Sequence, residues 1–213
     1  MRYKTVWLLL LLMMLGAPAV AKVAFEESNH YVEIFPAYPG SEQGKIEVVE
    51  FFWYNCPHCF DFEPHLQGWL ETKADDVHFV RVPAIFNDKA KMHAETFYAL
   101  ELMGLINSMH SKIFETIHDQ KRRLDSLDAM AAFLTEQGID EQKFRNTVKS
   151  FAVQTRVNRA ASLAKRFSIT GVPNVVVNGA YKSSNTQSYE QMIELIDYLI
   201  NKSREQGPIT AAQ

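Results

Sequence analysis

Eighty-nine residues separate Pro83 from Pro173 with no proline among them, and the only glycines in that interval are Gly104, Gly138 and Gly171. A stretch this long, rich in Ala, Leu, Glu, Lys and Met, lacks the punctuation that sheets and loops use, so its residues suit helices. The pattern predicts helices near 88–103, 107–119, 126–137, 141–150 and 152–166. The third is the clearest. Leu127, Met130, Ala131 and Leu134 share a face, Asp125 or Ser126 can cap its start, and Gly138 can end it.

The flanks follow another period. Lys45 to Trp53 (KIEVVEFFW) is β-branched and aromatic, as in a strand buried on both faces. Cys56 to about Thr72 is helix-like, and Val77 to Val82 is a second strand. Asn174 to Asn178 and Ala180 to Lys182, joined at Gly179, predict a hairpin, and a weaker strand falls around His30 to Phe35. Ser188 opens a final helix with Gln191 as capping-box partner. Its apolar stripe is Tyr189, Met192, Ile193, Ile196, Leu199 and Ile200. The order β-α-β, helical block, β-β-α places the chain in the α/β class.

Residues 1–21 read as a cleaved secretory signal peptide: Arg2 and Lys4, an apolar run from Val6 to Leu15, then Ala19-Val20-Ala21. The apolar run is about half the length a bilayer crossing needs. Cleavage leaves 192 of the 213 residues, enough for one or two domains. The leader takes two of the 22 basic residues and no acid, so 20 basic against 25 acidic residues leave the mature chain at −5. That balance excludes the basic face of a nucleic-acid binder. An exported, soluble protein is expected, in a compartment that permits disulfides.

Only two cysteines exist, Cys56 and Cys59, separated by Pro57 and His58. A bridge across so small a ring barely restricts the unfolded chain, so stability is a poor reason for the pair. The pair follows a strand and opens a helix, where Pro57 costs no hydrogen bond. A Cys56 thiolate there faces unpaired backbone N–H groups and the positive end of the helix dipole, and His58 adds to the effect. A Cys56 pKa well below the free value of about 8.5 is expected. A stabilised thiolate favours the reduced form, so the disulfide becomes an oxidant of other thiols, with Cys59 as resolving partner. Two cysteines at this spacing can also bind metal, with His30, His65 or His78 as further ligands. A c-type haem is excluded because Phe60, not His, follows Cys59.

Cys56-Pro57-His58-Cys59, with Glu50-Phe51-Phe52 before it and Phe60-Asp61-Phe62-Glu63 after it, closely resembles the DsbA disulfide oxidoreductases of the thioredoxin superfamily. Ser168-Ile169-Thr170-Gly171-Val172-Pro173 resembles the turn that sets a cis-proline beside the disulfide in that superfamily. The resemblance implies a thioredoxin-like fold with an inserted all-helical domain. Residues 22–87 and 167–213 would form the first unit and 88–166 the insert. It further implies that Glu50 exchanges protons beneath the active site, with a basic partner where Arg81 falls on the next strand. An arginine there can anchor Glu50 but cannot relay a proton. Backbone groups of Val172, before Pro173, would pair with an extended substrate.

The implied activity is that of a periplasmic enzyme donating its disulfide to reduced, newly exported proteins. Reoxidation would come from a quinone-linked membrane protein of the DsbB type. No metal or organic cofactor is expected beyond the cysteine pair, and the chain is expected to act as a monomer. Two alternatives stand: an isomerase or reductase of the same fold, and a cysteine-based metal carrier. Residues 22–44 are too few for the N-terminal dimerisation domain typical of the isomerases. His93, His110 and His118 share no ligand spacing and are read as surface or packing residues.

Overall fold

The computed structural model of the protein describes residues 25–206, and the expected leader, 1–21, lies outside them. Strand β1 is Tyr31–Glu33 and β2 Ile46–Phe52, followed by helix α1, Pro57–Thr72, and β3, Val77–Pro83. Five helices come next: α2 (Asp88–Leu102), α3 (Ile106–His118), α4 (Leu127–Glu136), α5 (Glu141–Val148) and α6 (Phe151–Arg166). Strands β4, Asn174–Val177, and β5, Tyr181–Ser183, lead to α7, Tyr189–Gln206. The strands form one sheet in the order β1-β5-β4-β2-β3, with β2 and β3 parallel and the other pairs antiparallel.

Alternation along the central strands sorts their side chains into two apolar clusters. Val48, Val175 and Val177 pack with Phe62, Leu66 and Trp69 of α1 and with Leu195, Ile196 and Leu199 of α7. Val49, Phe51 and Val176 pack with Phe97, Ile113, Met130, Phe144 and Val157 from the helical segment. The helices between β3 and β4 thus share a core with the sheet. This two-sided burial matches the unbroken apolar run read in β2.

The helix ends follow the expected chemistry. The side chains of Asn87, Ser126, Asp140 and Ser150 each accept a hydrogen bond from a backbone N–H in the first turn of the helix they open. Ser150 caps α6, whose Val153, Val157 and Ala160 are buried. Ser150→Ala is expected to cost about 1 kcal/mol of stability, measured by chemical denaturation, without moving the redox properties.

The β4–β5 turn carries two positive φ angles, Asn178 at 52° and Gly179 at 58°, the geometry of a tight hairpin that keeps the strand twist. A Cβ at position 179 would run into the Tyr38 carbonyl, so glycine meets two demands there. β1 is shorter than the His30–Phe35 expectation because its partner β5 offers only three residues to pair with.

Candidate active site

Strand β2 ends at Phe52, and a short turn through Trp53, Tyr54 and Asn55 delivers Cys56 to the N-cap of α1. Ser, Thr, Asp or Asn usually fills that position, accepting a first-turn N–H with a side-chain oxygen. Here the sulfur does so: Cys59 N–H donates to Cys56 Sγ at 3.4 Å. Pro57 occupies the first helical position, as expected. Cys56 Sγ also lies 3.4 Å from the Val172 carbonyl, and the Val172–Pro173 peptide is cis. The chain segments singled out around 56 and 172 therefore meet across 116 residues of sequence.

The two thiols differ sharply. Cys56 ionises at about 6, held down first by the Cys59 thiol donating to it, then by the backbone N–H groups of Cys59 and His58 and by the His58 charge, against some burial. Cys59 is fully buried, and burial together with the Cys56 thiolate pushes its pKa far up. The depression matches the expected direction, but its leading cause is the neighbouring thiol. The helix N-terminus acts through two named N–H groups, and the His58 charge contributes less.

Beneath the pair lies a buried polar cluster. Parallel register sets Glu50 of β2 opposite Arg81 of β3, and Arg81 Nε donates to Glu50 Oε2 at 3.1 Å. Arg81 Nη2 reaches Glu63 of α1 at 2.8 Å. Glu63 Oε2 faces His110 Nε2 at 3.5 Å, and His110 Nδ1 is 2.9 Å from the Tyr54 hydroxyl. Burial, aided by the Glu63 charge and opposed by Arg81, pushes Glu50 up to about 8. Burial acts the same way on Glu63, but His110 and Arg81 hold it below the usual carboxylate range. At neutral pH Glu50 therefore carries a proton while Glu63 pairs with Arg81. Arg81 and His110 also border a groove of about 700 Å³. Once ionised, Glu50 adds through its charge to the elevation of the Cys59 thiol.

Three histidines from the helical segment hold the turn that presents Cys56. His93 Nδ1 accepts from the Trp53 indole N–H at 3.1 Å, while its Nε2–H donates to the Leu124 carbonyl at 2.9 Å. Both bonds require a neutral ring, and burial lowers the His93 pKa accordingly. His110 meets the Tyr54 side chain, and His118 Nε2–H donates to the Tyr54 carbonyl at 2.8 Å with its ring stacked on Phe60. His93 and His110 are buried, as a packing role requires, but all three also bond the active-site turn. His58 is exposed, and its Nδ1 lies 3.2 Å from the Tyr189 hydroxyl of α7.

No site role was read in the sequence for Glu63, for the three histidines taken as surface or packing residues, or for Tyr189, taken as part of an apolar stripe. For Glu63 a signal existed: it lies four residues past Cys59, on the same helix face, among the buried residues of α1. His30, His65 and His78 bond respectively to the Glu26 backbone, Glu190 and Glu42. Among the described residues, no group of three or more His, Cys, Asp or Glu side chains is placed to hold a metal ion.

One sulfur that ionises readily, three positions from one that does not, is suited to exchanging disulfides, and the sheet beneath it has thioredoxin topology. The protein is a thiol:disulfide oxidoreductase. A family profile for a DSBA-like thioredoxin domain matches residues 76–197. The chain is 42% identical over 182 residues to the thiol:disulfide interchange protein DsbA of Pseudomonas aeruginosa, covering 84% of this chain and 86% of that one. It is 39% identical over 191 residues to DsbA of Pseudomonas syringae, covering 89% of each. The crystal structure of Pseudomonas aeruginosa DsbA superposes with a TM-score of 0.81 at 42% identity, over 85% of this chain and 96% of that one. DsbA from Xylella fastidiosa gives 0.78 at 33% identity, over 83% and 96%. The chain belongs to the DsbA family.

Proposed function

We propose that the protein is a periplasmic oxidant that passes a Cys56–Cys59 disulfide to reduced, newly exported polypeptides. The observation that carries this reading is the contrast between a Cys56 that ionises at about 6 and a buried Cys59 whose pKa is far up. A substrate thiolate attacks Cys56 Sγ, forming a mixed disulfide and expelling Cys59, which takes a proton. The substrate's second thiolate then attacks the substrate sulfur of that bond and releases Cys56 as a stable thiolate. Two electrons pass from the substrate dithiol to the cysteine pair. Cys59, being a poor thiolate, leaves best when protonated, and Glu50, neutral near pH 7 and close enough to act on it, supplies that proton.

The remaining parts of the reading agree with this chemistry. Pro57 opens the helix, His58 favours the Cys56 anion, and Val172 with Pro173 lines the approach to the sulfur, where the Val172 backbone would pair with an extended client. No cofactor beyond the cysteine pair is invoked. Reoxidation falls to a DsbB-type, quinone-linked membrane oxidase, and the chain works as a monomer. Residues 1–21 serve as its export signal. Residues 22–87 with 167–213 form the thioredoxin-like unit, and 88–166 the inserted helical one. Among the described residues, no helix is long and apolar enough to cross a membrane.

Cys59→Ala tests the roles of the two sulfurs. Mixed with an unfolded polypeptide whose single cysteine carries a small aromatic thiol in disulfide linkage, the variant should expel that thiol and accumulate a covalent adduct through Cys56, visible on a non-reducing gel. The unaltered protein should clear the same adduct rapidly. Recovery of free variant alone, with no adduct, would refute the assignment.

A further inference from the structure

The dipeptide between the cysteines contains an exposed imidazole, and an exposed side chain ordinarily samples several rotamers. His58 has a fixed partner instead: the Tyr189 hydroxyl, 3.2 Å from Nδ1, reaching over from the start of the last helix, 131 residues away. The tyrosine is itself anchored through its backbone and its ring. Its backbone lies in the first turn of α7, where Gln191 N–H donates to Ser188 Oγ at 3.1 Å and the Gln187 N–H donates to Gln191 Oε1 at 2.5 Å. Its half-buried ring packs on Phe62, centroid to centroid 5.9 Å, and on His65 at 5.6 Å. Those contacts leave the hydroxyl little choice of direction.

We propose that Tyr189 is a positioning residue for His58, its hydroxyl holding the imidazole in one orientation beside the reactive sulfur. The bond serves either state of the ring. A neutral imidazole accepts the tyrosine proton at Nδ1 and keeps its own on Nε2, whereas an imidazolium donates from Nδ1 to the phenol oxygen. Burial and the nearby Asp61 and cysteine charges push the Tyr189 pKa up, so the hydroxyl keeps its proton across the working range. His58 favours the Cys56 thiolate through its backbone N–H and through its charge. Only the charge depends on where the ring points, so the ring orientation sets that portion. The pattern of the last helix explains why the residue looks structural: Tyr189 heads an apolar stripe whose other members are core.

This inference rests on the reading of Cys56 as the exchanging sulfur. Tyr189→Phe keeps the ring packing and removes only the hydroxyl. In the reduced variant, the His58 ring-nitrogen signals in NMR should move toward a mixture of tautomers. The midpoint of Cys56 thiolate formation should rise by about 0.3–0.5 unit, and the equilibrium constant for oxidising glutathione should fall about twofold near pH 7. In a His58→Ala background, Tyr189→Phe should change neither quantity. An unmoved midpoint and unmoved nitrogen signals overturn the proposal, as does an equal shift in the His58→Ala background. A Cys56 with an ordinary thiol midpoint in the unaltered protein would instead sink the oxidant reading itself.

Discussion

Arg81→Met is expected to destabilise the protein by about 3–5 kcal/mol, the cost of leaving buried charge uncompensated. The guanidinium is the cation bonded to both carboxylates, Glu50 at 3.1 Å and Glu63 at 2.8 Å, whose side chains are 1% and 7% exposed. Methionine fills comparable volume, so cavity formation contributes little. The deficit should depend on pH with a definite sign. Without Arg81, both folded-state carboxyl pKa values rise: Glu50 moves further above its unfolded value, and Glu63 loses part of the depression that Arg81 gives it. A carboxyl raised on folding destabilises above its unfolded pKa and costs nothing well below it. The variant should therefore recover stability relative to the parent as pH falls from 8 toward 5, and Glu50→Gln in the same chain should restore part of the loss. Denaturant unfolding across that pH range checks both. A deficit under about 1 kcal/mol, or one that deepens with acid, would show that Arg81 does not hold the cluster together.

The second large effect concerns which redox state is the more stable. An ordinary disulfide stabilises a fold by restricting its unfolded chain, but a ring closed across three positions restricts it little. The thiolate acts in the opposite direction. Cys56 ionises at about 6 in the folded, reduced protein, against about 8.5 in an unfolded chain. A depressed acidic pKa stabilises the fold fully above the unfolded value and loses that stabilisation as pH falls through the folded one. At pH 7 this amounts to at most about 1.4 kcal/mol for the reduced form, or about 30 mV of oxidising power. Unfolding curves of the two states should accordingly place the reduced form above the oxidised form near neutrality and draw together below pH 6. A disulfide form that is the more stable at pH 7, with a gap insensitive to pH, would contradict the electrostatic origin of the activity.

The fold was legible where chain punctuation carries it. The proline-free interval announced the helical segment, and β-branched runs announced β2, β3 and β4, because these depend on local propensity and period. The Glu50–Arg81 pairing came from the family resemblance and not from strand pattern, and the parallel register of β2 and β3 is what sets the two side chains opposite each other. Contacts between distant elements were not legible. His93, His110 and His118 bond Trp53 and Tyr54 across 40, 56 and 64 residues, and nothing in their spacing reveals that three helical turns converge on one loop. Tyr189 was hidden differently: it fits an apolar stripe, and only the docking of α7 on α1 brings its hydroxyl to His58. The leading cause of the low Cys56 pKa, a thiol donor one turn along, became readable only once both side-chain orientations were known.

Recording the ultraviolet absorbance of the thiolate while the reduced protein is titrated reports Cys56 alone, since Cys59 remains protonated throughout the accessible range. The chemistry described here requires a transition centred close to pH 6, moving upward when His58 is replaced. A single transition near 8.5, where an unassisted cysteine ionises, would mean that the surroundings of Cys56 give its anion no advantage and that its disulfide has no special tendency to be passed on.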